Sequence, residues 1–376
     1  MKRFMTAVMA AVMCAGFVPA AQEAPTPFKL GTFERQGRPF VGIVLRESVI
    51  IDLSGAHAAL REPASTLAAP TDMKDLIARY DQGIRARILD IVRTVATAPG
   101  DRPAYVYDVS ALKVLPPIMY PRTLLNVAVN YREHDIEMNT PREGGGTALG
   151  GVPQPVTGGA APQGTRSAPG IWERAADDTR WNPYMFLKAP AAIVADGEAV
   201  RIPPNRTQID WECELGVVIG RSADHVPIAR AADFIFGYTL QNDVSDRGGR
   251  GDQRFGSDWL LMKSHATFAP LGPYITPREF IRDVKNMNVK FTLNGQVMQD
   301  ANTRLMIHDV FEQVAYGSNI LPLVPGDVIA TGSPAGVGSA RNPPIFLKNG
   351  DRMSCTYEGV GTLNNPVVGP APSATK

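Results

Sequence analysis

The stretch Asp210-Trp211-Glu212-Cys213-Glu214-Leu215-Gly216-Val217-Val218-Ile219-Gly220 constrains this chain more than any other. Asp210, Glu212 and Glu214 share one parity, while Trp211, Cys213, Leu215 and Val217 share the other. A strand sends successive side chains to opposite faces, so such a segment has an acidic face and an apolar face. Carboxylates on one face lie about 6–7 Å apart and repel when nothing neutralises them. Two readings fit that row. It is a solvated face on an edge strand, or it is a site where a hard divalent cation with oxygen ligands (Mg²⁺, Mn²⁺ or Ca²⁺) sits between the acids.

The remaining composition narrows the function classes. With 376 residues, 44% hydrophobic and 20% charged, the chain can bury one large core and a smaller one. Its 38 basic and 37 acidic residues create no field that would recruit nucleic acid or an anionic membrane. Lys2 and Arg3 precede an apolar run from Phe4 to Val18, and Val18-Pro19-Ala20 supplies small residues for cleavage. That run is too short to span a bilayer, so residues 1–20 read as a secretory signal peptide, with export and no membrane anchor. Cys14 falls inside it, and Met13 argues against a lipoprotein site. Of the other cysteines, Cys213 and Cys355 lie in strand-like runs and read as small buried hydrophobes, with a disulfide as the alternative in an exported chain.

Along the chain, residues 25–117 read as a small N-terminal β/α domain. Phe28 to Phe33, Phe40 to Val44 and Val49 to Leu53 are strand candidates, with a turn at Gln36-Gly37-Arg38. Thr71 or Asp72 can then cap a helix whose apolar stripe is Leu76, Ile77, Tyr80, Ile84, Ile88, Leu89 and Val92. Residues 118–370 are β-rich, with Asn294-Gly295 as a hairpin signal and one helix expected over Met306 to Tyr316. Residues 140–182 break the pattern. Gly144-Gly145-Gly146, Gly150-Gly151 and Gly158-Gly159 with few core formers suggest an inserted loop or lid. His134 and Glu137, three apart, share one face of a short helix, where a carboxylate orients an imidazole and raises its basicity. His57, His225, His265 and His308 fit no motif and read as structural or exposed.

Several stretches together resemble the fumarylacetoacetate hydrolase family over about residues 113–368. They include Asn130-Tyr131-x-x-His134, Phe186-Leu187-Lys188-x-Pro190 and the acidic strand itself. Gly237-Tyr238-Thr239-x-x-Asn242-Asp243-Val244-Ser245-x-Arg247 and Lys263-Ser264 follow. The series closes with Pro325-Gly326-Asp327-Val328-Ile329-Ala330-Thr331-Gly332-Ser333-Pro334 and Gly361-Thr362-Leu363. The resemblance implies a mixed β-rich α+β fold: a catalytic β-sandwich or β-roll, a small N-terminal β-rich domain, and a homodimer. It implies that Glu212, Glu214 and Asp243 hold Mg²⁺ or Mn²⁺, with Asp210 behind them. It casts His134 and Glu137 as a water-activating dyad on a lid helix, with Lys263 facing the substrate. Tyr131, Arg247, Gln253 and the turn Thr331-Gly332-Ser333 become candidates for binding substrate carboxylates or an oxyanion.

The implied activity is metal-dependent hydrolysis of a carbon–carbon bond in a β-diketo acid such as an acylpyruvate. Decarboxylation or isomerisation of an oxo-diacid is the alternative within enzymes, and an exported carboxylate-binding protein is the alternative outside them. The chain departs from the family pattern at Ala128, in the spacing of residues 247–258 and in the length of the 140–182 loop. All three lie near the presumed substrate pocket.

Overall fold

The computed structural model describes residues 25–60, 66–97, 102–141, 178, 180–248 and 257–370. The expected signal peptide, Gln253 and most of the 140–182 loop lie outside them.

Three strands open the fold: β1 (Lys29–Arg35), β2 (Arg38–Leu45) and β3 (Val49–Asp52). Asp52 ends β3 and caps α1 (Leu53–Ala59) by accepting the N–H groups of Ser54 and Gly55. The apolar stripe expected as one helix is two, α2 (Met73–Arg79), capped by Asp72, and α3 (Ile84–Thr97). Between them Gly83 sits at φ 106, which a glycine adopts without a Cβ penalty.

Next come β4 (Val106–Asp108), β5 (Lys113–Leu115), β6 (Leu124–Ala128), α4 (Arg132–Asn139) and β7 (Tyr184–Leu187). Short strands follow: β8 (Ile193–Val194), β9 (Val200–Arg201) and β10 (Ile209–Asp210). The acidic segment supplies β11 (Cys213–Ile219), which β12 (Ile235–Asn242) and β13 (Ser245–Asp246) follow. Then come α5 (Trp259–Lys263), β14 (Ala269–Pro277), β15 (Asn288–Leu293) and β16 (Gln296–Asn302). The chain closes with α6 (Val310–Ile320), β17 (Val328–Ala330), β18 (Arg352–Tyr357) and β19 (Gly361–Val368). The last helix starts later than its apolar pattern suggests, because Asp309 and Glu312 form a capping box there. Asn294 and Gly295, at φ 52 and 82, turn β15 into β16 as the sequence suggests.

One twelve-stranded sheet runs β4-β3-β2-β1-β14-β12-β11-β17-β6-β7, with β5 beside β1 and β8 beside β14. Leu30 of β1 pairs with Ile275 of β14, so the N-terminal strands continue the sheet of the later ones. The first core lies under α2 and α3, where Leu76, Ile77 and Ile88 meet Leu30, Val218 and Ile275. A second sheet, β16-β15-β18-β19-β9, covers the opposite face. Between the sheets lie Trp211, Leu215, Val217, Phe291, Tyr357 and Leu363. Each such side chain contributes about 1.5–3 kcal/mol when fully buried.

Two expectations change here. β11 is no edge strand: it lies between β12 and β17 with all seven residues buried, so the solvated-face reading fails. Cys213 of β11 and Cys355 of β18 are not separate hydrophobes but a disulfide, with Cα atoms 5.4 Å apart. The packing of one sheet on the other brings them together, and no local pattern encodes that.

Candidate active site

Strand register builds the acidic centre. Cys213 at the start of β11 pairs with Asn242 at the end of β12, so Glu212 and Asp243 lie just beyond the two strand ends. The Asp243 N–H donates to the Glu212 carbonyl at 2.8 Å, and the Glu212 N–H donates to Asn242 Oδ1 at 3.0 Å. Glu214 lies one position inward, opposite Gln241. Among the described residues, Glu212, Glu214 and Asp243 form a buried group whose ligand atoms all lie within 4.8 Å of one another. Asp210 leaves the row, because Trp211 and Glu212 interrupt the strand between it and Cys213. Its oxygens accept the N–H groups of Gly338 (2.7 Å) and Ser339 (3.0 Å).

Three cationic side chains enter the cluster. Lys263 Nζ, at the end of α5, donates to Glu212 Oε2 at 2.7 Å and to Asp243 Oδ2 at 2.5 Å. Lys188, fully buried just after β7, donates to Asp243 Oδ1 and to the Val244 carbonyl. Arg247 donates to Glu212 Oε1 and to Asp210 Oδ2. Lys188 is the residue that sequence reasoning missed. Phe186-Leu187-Lys188-x-Pro190 was its only signal, and burial beside Asp243 is what makes it part of the site.

Protonation follows from this wiring. Burial alone would raise the Glu212 carboxyl, but Lys263 and Arg247 hold it well below the usual carboxylate range. Burial, reinforced by the charges of Asp243 and Glu212, pushes Glu214 well above that range. Burial would lower Lys263, but Asp243 and Glu212 hold it above its ordinary value. Burial, aided by Lys263 and opposed by Asp243, brings Lys188 down to about 8. Three cations therefore pair with Glu212, Asp243 and Asp210, while Glu214 receives no cationic hydrogen bond among the described residues and is the carboxyl that burial favours in its neutral form. Three buried carboxyl groups converging in this way are the oxygen donor set that a hard divalent cation takes, and such a cation would favour the ionised form of Glu214.

The dyad sits on α4. His134 Nδ1 lies 2.7 Å from Glu137 Oε1. Glu137 is itself fixed, with Oε2 accepting the Gly336 N–H at 2.8 Å and Oε1 the Val337 N–H at 3.4 Å. A carboxylate only accepts, so Nδ1 carries the imidazole proton. In the neutral imidazole Nε2 then keeps the lone pair, 3.9 Å from Glu212 Oε1. A base thus faces the acidic centre.

The glycine-rich turn does something other than its sequence suggests. Its N–H groups hold the protein's own acids: Gly332 donates to Glu214 Oε2 at 3.0 Å, Gly336 and Val337 to Glu137, and Gly338 and Ser339 to Asp210. Thr331 accepts from Asn130 Nδ2 through its carbonyl, and Ser333 Oγ accepts from Gln299 Nε2. Tyr131 is the N-cap residue of α4 and is 1% exposed, and burial pushes its hydroxyl above the ordinary value. The structure therefore brings His134, Glu137, Lys263, Glu212, Glu214, Asp243 and Arg247 together. It sets Tyr131, Thr331, Gly332 and Ser333 behind them.

Residues 123–368 match the family described as fumarylacetoacetate (FAA) hydrolase, C-terminal. The chain belongs to the fumarylacetoacetate hydrolase family. The mitochondrial oxaloacetate tautomerase fahd2 of Xenopus laevis is 32% identical over 295 residues, covering 77% of this chain and 81% of that one. The crystal structure of 5-carboxymethyl-2-hydroxymuconate delta-isomerase from Mycobacterium smegmatis aligns with a TM-score of 0.60 at 28% identity, over 92% of this chain and all of that one. Maleylpyruvate hydrolase from Sphingobium sp. SYK-6, crystallised with manganese(II) and pyruvate, shares the fold. Its TM-score is 0.62 at 23% identity, over 91% of this chain and all of that one. A curated relative is thus a tautomerase, and an isomerase and a hydrolase share the fold. Among the described residues no helix is long and apolar enough to cross a membrane.

Proposed function

We propose that this protein moves a proton on a short 2-oxo dicarboxylic acid of the oxaloacetate type, interconverting its keto and enol forms. The observation that carries the reading is the placing of His134, with Nδ1 2.7 Å from Glu137 Oε1 and Nε2 facing the acidic centre 3.9 Å from Glu212 Oε1. Glu212, Glu214 and Asp243 would hold a divalent cation, Mg²⁺ or Mn²⁺, which when bound supplies Lewis-acid polarisation of the 2-oxo group. His134 Nε2 takes the proton from the carbon beside that group. Glu137 stabilises the imidazolium that results, and the oxygen gains a proton from Nε2 or from water. Lys263, held as an ammonium by its acidic neighbours, counters negative charge growing on the substrate. The tautomerase relative supports this substrate class.

Hydrolysis of a β-diketo acid is the second reading. Glu137 stabilises a full imidazolium, which water activation requires, and Nε2 can serve a water as well as a carbon acid. Decarboxylation needs no such base, and neither does a carboxylate-binding protein, so the dyad argues against both. The proposal includes an exported homodimer; the N-terminal basic and apolar pattern and a disulfide, which persists in oxidising compartments, support the export.

The test uses purified protein with Mn²⁺ or Mg²⁺ and follows the enol absorbance of oxaloacetate, pyruvate release from it, and loss of an acylpyruvate. Enol–keto exchange that His134→Ala and Glu212→Ala both abolish is the expected result. Acylpyruvate cleavage without exchange would move the assignment to a hydrolase. Pyruvate release alone would make the chain a decarboxylase.

A further inference from the structure

Cys213 lies between two of the three clustered carboxylates, Glu212 and Glu214, and the second sheet grips it in three ways. Its N–H donates to Gln299 Oε1 of β16 at 3.2 Å. Its carbonyl accepts the Tyr357 hydroxyl of β18 at 3.4 Å, and its sulfur is bonded to Cys355 of the same strand. The grip extends to both neighbours. Asn242, which accepts the Glu212 N–H, donates through Nδ2 to Met353 Sδ of β18 at 3.4 Å. Gln299 donates to Ser333 Oγ and the Pro334 carbonyl, in the turn whose Gly332 holds Glu214. Both hydrogen bonds to Cys213 itself are long. The disulfide is the only covalent link in the clamp, and it acts from the strand face opposite Glu214.

We propose that the Cys213–Cys355 disulfide is a positioning element for the acidic centre. When formed, it holds the backbone between Glu212 and Glu214 at the spacing that a divalent cation needs. Its reduction loosens that spacing and lowers cation affinity. The inference rests on the metal reading of the three carboxylates. Groups that orient metal ligands from behind change affinity by about 10–100-fold. In the reduction, a dithiol breaks the S–S bond, two thiols form, and the dithiol closes to its own disulfide.

The test compares Mn²⁺ binding, by the electron paramagnetic resonance of free ion and by calorimetry, in three preparations. These are the oxidised protein, the same protein reduced with dithiothreitol under native conditions, and the double variant Cys213→Ala/Cys355→Ala. Peptide mapping after alkylation reports the bond, and circular dichroism reports folding. We expect Mn²⁺ binding to weaken about tenfold or more in both reduced and variant protein. If the variant fails to fold, the reduced wild type carries the comparison. Equal affinity with only a lowered Tm would make the bond a structural staple and overturn the inference, as would two free thiols in protein made in an oxidising compartment. Failure of every form to bind Mn²⁺ would overturn the metal reading beneath it.

Discussion

Replacing Glu137 with Gln changes one atom of the dyad and forces a choice that the structure makes unequal. Glu137 accepts three hydrogen bonds: from His134 at 2.7 Å, from the Gly336 N–H at 2.8 Å and from the Val337 N–H at 3.4 Å. A carboxamide offers one accepting oxygen and one donating nitrogen. If the nitrogen took the Oε2 position, the part-buried N–H of Gly336 would lose its partner, at a cost of up to about 1–3 kcal/mol. The oxygen therefore keeps the 2.8 Å bond from Gly336, which leaves the nitrogen at the Oε1 position, where the long 3.4 Å bond from Val337 is given up and the nitrogen meets His134 Nδ1. That nitrogen donates, so Nδ1 must give up its proton and Nε2 must carry one. The base facing the acidic centre disappears while the fold and the three carboxylates stay in place. Loss of a general base costs about 10²–10⁴-fold in rate. We expect kcat for oxaloacetate tautomerisation in Glu137→Gln to fall by that range, with little change in KM. Nitrogen-15 spectra of His134 should move from the Nδ1–H to the Nε2–H tautomer, a readout that needs no substrate. An unchanged tautomer, or activity within about threefold of wild type, would refute the reasoning.

Three further outcomes follow from particular contacts. Gly332→Ala places a Cβ 2.6 Å from that of Asn130 and 2.9 Å from the Val127 carbonyl oxygen, at φ +91. It should lose about 2–4 kcal/mol in denaturant unfolding, and a loss below about 1 kcal/mol would show that the turn yields freely. Mn²⁺ at about a hundred times its Kd should stabilise the protein by about 2.7 kcal/mol, reversibly with chelator and not in Glu214→Ala; an unmoved Tm would count against the donor set. Burial alone would raise the Glu312 carboxyl, but His308 and Arg180 hold it down at about 2. A carboxyl lowered by folding contributes stability above its unfolded value and loses it as pH falls through its folded value. The stability gap between wild type and Glu312→Gln should hold from neutral pH to about pH 5 and close between there and about pH 2; a gap independent of pH would rule out the ion pair as its source.

What could be read locally was read from the sequence. The alternation in Cys213–Ile219, the helical spacing around Leu76 and Ile88, and the Asn294-Gly295 turn are decided by residues a few positions apart. His134 and Glu137 belong with them, since three residues on one helix are neighbours whatever else the chain does. The order of motifs pointed to the family, and the family supplied Asp243 and Lys263 as companions of the two glutamates.

The tertiary structure decided what the acids meet. Parity alone would have kept Asp210 in the row, but a break at Trp211 and Glu212 turns it toward Gly338 and Ser339. Lys188 reads as one residue in a short motif until β7 and β12 are placed in one sheet and its ammonium reaches Asp243. The glycine-rich turn shows N–H groups free for a ligand until register brings Glu214, Glu137 and Asp210 beneath them. Cys213 and Cys355 are 142 residues apart, and only the facing of two sheets makes them partners. Periodicity tells which side of an element is apolar. It does not tell which other side chains lie across the buried space, and in a low-dielectric centre those partners set the charge, the proton and the bond.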